Sequence, residues 1–244
     1  MGCLNSKTQE TQSEDVHQEE IDNVINVSIE GNLAVGKSTL VKFLSSIPGI
    51  CAATEPLEEW QSLGHPTLEG EHINLLDLMY RDKESYTFQF QVFAMLTQLR
   101  QHLQISQKVK VVERLMGSIC FIRHAADCGN LNPAEIAILN EWKTMLYLHP
   151  KINMKPSLIV YLRASPEKSL ERIRARGRPE EKHITLEFLR EIHFLHEQWL
   201  IDKTFCRDIK TRVLVIDAEQ DELQAAKHQE VKGEILSLLA AKGT

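Results

Sequence analysis

The chain has 244 residues, 43% of them hydrophobic and 25% charged, with a formal net charge of −6. That composition supports a folded core of one domain or two small ones, and the acidic balance excludes a coat protein for a nucleic-acid polymer, which needs a basic surplus. The five cysteines (Cys3, Cys51, Cys120, Cys128, Cys206) form no CxxC pair, which predicts a reducing compartment with neither a disulfide frame nor a cysteine-based zinc site.

Residues 1–22 carry six acids against Lys7 alone, too little apolar surface to fold, so they read as a disordered acidic tail ahead of a single domain over 23–244. No secretory signal or Arg-rich transit sequence is present, and no apolar run approaches the ~20 residues of a membrane span. The first residues, Met1-Gly2-Cys3-Leu4-Asn5-Ser6, fit M-G-x-x-x-[ST], the pattern for myristoylation of Gly2, with Cys3 beside it for palmitoylation. One myristoyl chain anchors only marginally, and an acidic tail adds nothing on an anionic leaflet. The expectation is a cytoplasmic protein whose membrane association depends on both Gly2 and Cys3.

From Val24 onward, short β-rich runs alternate with helical stretches. Residues 24–30 read as a strand, 37–46 as a helix and 50–54 as a strand. Helical spacing marks 73–80 and 86–103, followed by a strand at 109–113. Helices at 118–126 and 133–148 precede a strand at 157–162 and a helix at 166–175. A helix over 186–200 and a strand over 213–216 complete the pattern. Five strands separated by helices predict an α/β fold, a P-loop NTPase-type five-stranded parallel sheet with helices on both faces.

Between the first strand and the first helix lies Gly31-Asn32-Leu33-Ala34-Val35-Gly36-Lys37-Ser38, a match to G-x-x-x-x-G-K-[ST] extended by Thr39. Successive N–H groups of such a loop face phosphate oxygens, and the following helix adds the positive end of its dipole. Lys37 then reaches the terminal phosphates of ATP, and the Ser38 hydroxyl can ligate Mg²⁺. The motif specifies a donor without specifying an acceptor. No N-K-x-D guanine-reading element occurs. The apolar run ending in Asp217 has the form found in switch-type ATPases, so an ATP-binding switch or adaptor is the alternative to a kinase.

Two acids follow predicted strands, where open α/β sheets bind ligands: Glu55, before Pro56, and Glu113, before Arg114. In isolation each reads equally as a cap or surface acid. Facing a γ-phosphate, one accepts a proton from an attacking hydroxyl and the other supports Mg²⁺. Arg172, Arg174, Arg176 and Arg178 form a basic run ending in Gly177-Arg178-Pro179. It is either a solvated helix face or a mobile arginine cluster that stabilises charge in phosphoryl transfer. His193 and His196 stand at metal-pair spacing, but on a helix they read as packing residues.

Taken together these segments resemble the deoxynucleoside kinases, the family of deoxycytidine, deoxyguanosine, mitochondrial-type thymidine and insect broad-specificity kinases. The likeness runs from about residue 24 to 218. It rests on Gly31–Thr39, Glu55-Pro56 with Trp60, Leu78-Met79-Tyr80, Phe90-Gln91, Glu113-Arg114, Tyr161-Leu162-Arg163, Arg176-Gly177-Arg178 with Glu180-Glu181, and Leu195-His196-Glu197 with Trp199-Leu200. The resemblance implies phosphorylation of a deoxyribonucleoside 5′-hydroxyl by ATP with Mg²⁺, in a homodimer packed through helices. By position it implies Glu55 as base and Arg114 as its bridge to the acceptor oxygen, with Glu113 beside Ser38 for Mg²⁺. Gln91 would read the base between Trp60 and Phe121, Tyr80 and Glu181 would hold the 3′-hydroxyl, and Arg172, Arg176 and Arg178 would form the lid. The family's usual Ser after Glu-Arg is Leu115 here, and 118–129 is about two residues short. Gln98 stands where deoxycytidine kinase has a cytosine-selecting arginine, which implies pyrimidine or broad specificity.

Overall fold

Ile25–Glu30, the first strand, alternates Ile-Asn-Val-Ser-Ile-Glu, yet all six residues are buried. Its apolar row meets one helical layer. Its polar row must find partners inside the protein, because an unpaired buried polar group is costly. Asn26 Nδ2 donates to the backbone oxygens of Asn153 (2.7 Å) and Lys155 (3.1 Å), and the Ser28 hydroxyl donates to Glu30.

The computed structural model describes residues 24–242 apart from 66, 68, 106, 117, 150–151, 206–209 and 222–223. The acidic segment, its lipidation motif and Cys206 therefore lie outside the described residues. In order, the chain forms β1 (Ile25–Glu30), α1 (Lys37–Ser45), β2 (Ile50–Ala53), α2 (Leu57–Gln61), β3 (Leu63–Gly64) and β4 (His72–Ile73). Then come α3 (Leu75–Arg81), α4 (Lys83–Gln104), β5 (Val109–Glu113), α5 (Ser118–Asp127), α6 (Pro133–Leu148), β6 (Leu158–Arg163) and α7 (Pro166–Arg176). A 3-10 turn (Pro179–His183), α8 (Leu186–His196), a π turn (Glu197–Ile201), β7 (Arg212–Asp217) and α9 (Gln224–Lys242) complete it.

The main sheet has the order β2-β5-β1-β6-β7, with every pairing parallel, as expected from strands joined through helices. α1 and α9 cover one face, where Leu40, Leu44, Val231 and Ile235 pack on Ile25, Val27 and Ile29. The other face carries the cluster of Met95, Ile122, Leu139 and Val112, and beside it that of Cys120, Tyr161, Leu195 and Trp199. Leu115 is fully buried in the former cluster, so it fills core rather than cleft. Local signals set the helix ends. Asn132 and Glu135 form a reciprocal capping box, and Ser165 caps α7, which stops at Gly177 in the left-handed conformation.

The structure corrects the sequence reading at several boundaries: the short helix α2 lies outside the elements read there, and α4 starts at Lys83 rather than residue 86. Ile73 pairs with Leu63 in a two-stranded ribbon, so the helix begins at Leu75, capped by Asn74. The expected helix over 186–200 is α-helical only to His196. The π turn that follows keeps both Trp199 and Leu200 buried, as wider turns at functional or crowded positions do. His196 is fully buried with Nδ1 2.8 Å from Ile192 O and its ring stacked on Tyr161, so it is a packing residue. α9 was not foreseen at all.

Candidate active site

The order in which strands are added reverses around β1, with β5 and β2 on one side and β6 and β7 on the other, and open α/β sheets bind ligands at the carboxyl ends of the strands beside such a point. The loop 31–36 leaves β1 here under tight steric control. A Cβ on Gly31 would lie 2.4 Å from Leu162 O, and Gly31, Ala34 and Gly36 all have positive φ. Only glycine takes φ +138 without strain, so Gly31 cannot be exchanged. Asn32 fixes the loop from outside: its Oδ1 accepts from Leu33 N and its Nδ2 donates to Leu189 O at 2.8 Å. Val35 turns into the core, while Leu33, Ala34, Gly36, Lys37, Ser38 and Thr39 line a cleft of about 520 Å³. That volume is within the range that holds a small-molecule ligand.

The residues to which the sequence gives a base, acceptor, metal or lid role line the same cleft: Glu55, Trp60, Tyr80, Gln91, Glu113, Arg114, Phe121, Arg172, Arg176, Arg178 and Glu181; Gly31, Asn32 and Arg174 are not part of its lining. Glu55 sits just past β2 and Glu113 ends β5. Arg114, at φ +55, donates its N–H to Ile29 O at 2.9 Å, which holds the strained residue against β1. Its Nη1 is 3.2 Å from Glu55 Oε1, and its guanidinium lies 4.6 Å from the centre of the Phe121 ring. Lys37 is buried, donates to Asn32 O at 2.7 Å and stands 3.9 Å from Glu113 Oε1.

This packing of charges shifts their protonation. Burial raises the Glu55 carboxyl above its usual range, and Glu113 adds to that, while Arg114 opposes it. Burial first, then Arg114, pull Lys37 down to about 8 despite the nearby carboxylates. Burial works against the charge on Arg114, but Glu55 and Glu113 outweigh it and keep the guanidinium ionised. The Tyr80 hydroxyl is pushed well up by burial and by Glu181, so it remains a neutral donor.

The acceptor half is built by helix spacing. Thr87, Gln91, Ala94 and Gln98 recur along one face of α4 and meet the cleft. Trp60 is fixed by an Nε1 bond to Thr97 Oγ1 (2.9 Å) and an edge contact with Phe90. The arginine run divides. Arg176 grips Glu181 with bonds of 2.6 and 2.7 Å and Arg178 approaches the same carboxylate at 3.4 Å, whereas Arg172 turns to Ala218 O and Asp221. Asp217 is exposed on the outermost strand β7, away from the loop, so the switch-type arrangement is not formed.

One contributor, Glu30, has no role in the sequence reading, and another, Gln98, has one there only for base selection. Glu30, at the end of β1, is fully buried, and its carboxyl is raised to about 7 by burial against the bonds from Ser28 and Met116. Its signal is the polar row Asn26, Ser28, Glu30 on the strand that leads into the phosphate loop. Gln98 donates Nε2 to Arg114 O at 3.1 Å, bracing the residue with positive φ.

The residues also fit a magnesium ion. Glu113 Oε2 is buried with no hydrogen bond among the described residues, and the Ser38 hydroxyl lines the same cleft, giving the oxygen donors that Mg²⁺ prefers.

The sequence model for the family described as deoxynucleoside kinase matches residues 27–239. The chain is 33% identical over 239 residues to "Deoxycytidine kinase 2" of Gallus gallus, covering 86% of each chain. It is 35% identical over 198 residues to the human "Thymidine kinase 2, mitochondrial", 79% of this chain and 70% of that one. With "Deoxyguanosine kinase, mitochondrial" of Xenopus laevis it shares 31% over 239 residues, 89% of this chain and 90% of that one.

Proposed function

The chain belongs to the deoxynucleoside kinase family and phosphorylates a deoxynucleoside with ATP; we propose that the transfer takes place between the loop at Lys37 and the carboxylate of Glu55, onto the 5′-hydroxyl. The observation that carries this reading is the Glu55–Arg114 pair, largely withdrawn from solvent and facing the phosphate loop across one cleft. The acceptor's O–H proton passes to Glu55 as the oxygen forms its bond to the γ-phosphorus, and ADP leaves with the electrons of the broken P–O bond. Burial makes Glu55 a stronger base than a surface carboxylate, nearer the pKa that serves proton transfer at neutral pH. Arg114 orients Glu55 and offsets the charge on the acceptor oxygen. Lys37 and the amides of the loop take the charge of the β- and γ-phosphates. Ser38 and Glu113 would hold Mg²⁺, which supplies charge neutralisation at those phosphates.

In this reading Gln91 presents its amide to the base between Trp60 and Phe121. Tyr80 donates to the 3′-hydroxyl, Glu181 accepts from it, and Arg176 and Arg178 link that contact to the donor side. Arg172 completes the lid from α7. The product serves nucleotide salvage. Incubation with ATP–Mg²⁺ and each of the four deoxynucleosides tests the assignment, and absence of monophosphate from all four refutes it.

A homodimer is part of the same proposal. Leu96 and Leu103 on α4 and Ile138, Trp142 and Met145 on α6 are exposed at helical spacing, an apolar face that a second copy would cover. Light scattering on the wild type and on Trp142→Glu checks it: the wild type is twice the chain mass and the variant is not. The Gly2 and Cys3 motif is proposed to hold a fraction of the cytoplasmic protein at membranes.

A further inference from the structure

On the outer wall of the cleft, α5 and α8 bring together three side chains that the phosphoryl-transfer chemistry does not use. Cys128 N donates to His124 O at 3.0 Å, so the helical geometry of α5 carries through to Cys128 and sets the two side chains four residues apart on one face. Cys128 Sγ lies 3.7 Å from His124 Nδ1. α8 contributes Glu191, whose Oε2 lies 3.4 Å from the same nitrogen. All three donor atoms fall within 4.8 Å of one another.

Those separations carry chemical information. A tetrahedral zinc ion with bonds of about 2.0 Å to nitrogen or oxygen and about 2.3 Å to sulfur has ligand-to-ligand edges of roughly 3.3–3.6 Å. The imidazole–carboxylate and imidazole–thiol edges already sit at that spacing. The third edge closes by rotation of Cys128 and Glu191, which are both exposed, whereas His124 is buried and held edge-on against Phe188 at 5.0 Å. One rigid buried ligand and two adjustable ones suit capture of an ion from solvent. The donor set of nitrogen, sulfur and oxygen selects a borderline-soft ion over Mg²⁺, which takes oxygen. The cluster contains no CxxC pair and is assembled from two helices 63 residues apart at His124 and Cys128 on one side and Glu191 on the other, so cysteine spacing alone gives no sign of it.

We propose that His124, Cys128 and Glu191 form a binding site for a zinc-class divalent cation that ties α5 to α8. On binding, the thiol releases its proton to solvent and the thiolate takes its place on the ion, with water in the fourth position on the exposed side. Lys83 and Asp127, one charge of each sign, are the other ionic groups that act on the thiol. The bound ion restrains the wall that carries Phe121 and His124, so the site lies where it bears on the acceptor pocket without touching the phosphate loop.

Cobalt(II) titration of the full-length, nucleotide-free protein, kept reduced with a phosphine, tests the site. The expected result is one equivalent bound per chain, with the intense visible bands of tetrahedral cobalt and a thiolate-to-cobalt charge-transfer band, both abolished by stoichiometric Zn²⁺. Cys128→Ser removes the charge-transfer band, and Glu191→Gln and His124→Ala each weaken binding at least about tenfold. Metal-free melting curves establish that the variants are folded, and Cys128→Ser, at an exposed position, serves if His124→Ala is not. A wild type without the charge-transfer band, or a band that survives in Cys128→Ser, overturns the proposal.

Discussion

Glu55→Gln isolates proton transfer from everything else Glu55 does. The amide keeps the side chain's length and leaves an oxygen to accept from Arg114, whose Nη1 stands 3.2 Å away, so the cleft retains its shape. The lost features are the negative charge and the ability to take a proton. General-base assistance is worth ~10²–10⁴-fold, or roughly 3–5.5 kcal/mol of barrier. The upper part of that range is expected here, since burial has raised the basicity of Glu55. Nucleoside Kd should change by less than about tenfold, because a neutral amide still accepts from the 5′-hydroxyl. Single-turnover transfer from labelled ATP, set against equilibrium nucleoside binding, separates the two effects. The pH profile adds a second readout. The base works when deprotonated, so wild-type kcat/KM rises with pH through a midpoint above the ordinary 4.5, and the variant lacks that limb. A loss in rate under about threefold, or an acid limb that persists in the variant, would place the base elsewhere.

The other expectations are shorter. Glu30→Gln should leave stability unchanged near pH 4.5 and raise it by roughly 3 kcal/mol above pH 8 in urea unfolding. The buried carboxyl is raised to about 7, so its neutral form costs nothing at low pH and its ionised form destabilises the fold as pH rises through 7; equal stabilities at pH 8.5 would contradict this. Arg176→Ala should lower kcat on the order of 10²-fold with a smaller change in nucleoside affinity, and a rise in nucleoside KM alone would assign this arginine to the acceptor through its grip on Glu181. Competition among nucleosides should find thymidine or deoxyuridine accepted as well as deoxycytidine, since Gln98 is engaged with Arg114 O; strict preference for deoxycytidine or a purine refutes that. In eukaryotic cells Cys3→Ser should release most of the membrane-bound fraction and Gly2→Ala all of it, with kinase activity unaltered; identical fractionation of wild type and variants makes the motif a coincidence.

What the sequence determined by itself was local. The phosphate loop is read at fixed spacing because its backbone geometry is contained in eight consecutive residues. The strands of the sheet are legible because each is a β-rich run bounded by turn residues, and Glu55 and Glu113 stand out because they sit at the ends of two of them. Helix α9 escaped the same reasoning. Only Val231 and Ile235 are fully buried along its 19 residues, so its apolar periodicity is faint and packing on α1 and β1 sustains it. The π turn escaped because Trp199 and Leu200 continue an apolar spacing that one α-helix would also satisfy. Glu30 looked like a strand terminus until β5 and β6 closed on either side of it. The resemblance implies that Arg114 meets Glu55, but only the tertiary structure decided that Gln98 braces Arg114 O and that Arg176 and Arg178 converge on Glu181 while Arg172 turns to Asp221. The physical reason is range: hydrophobic period and loop geometry act within a few residues, whereas the pairing of buried charges depends on which strands become neighbours, and burial of the whole sheet sets that order.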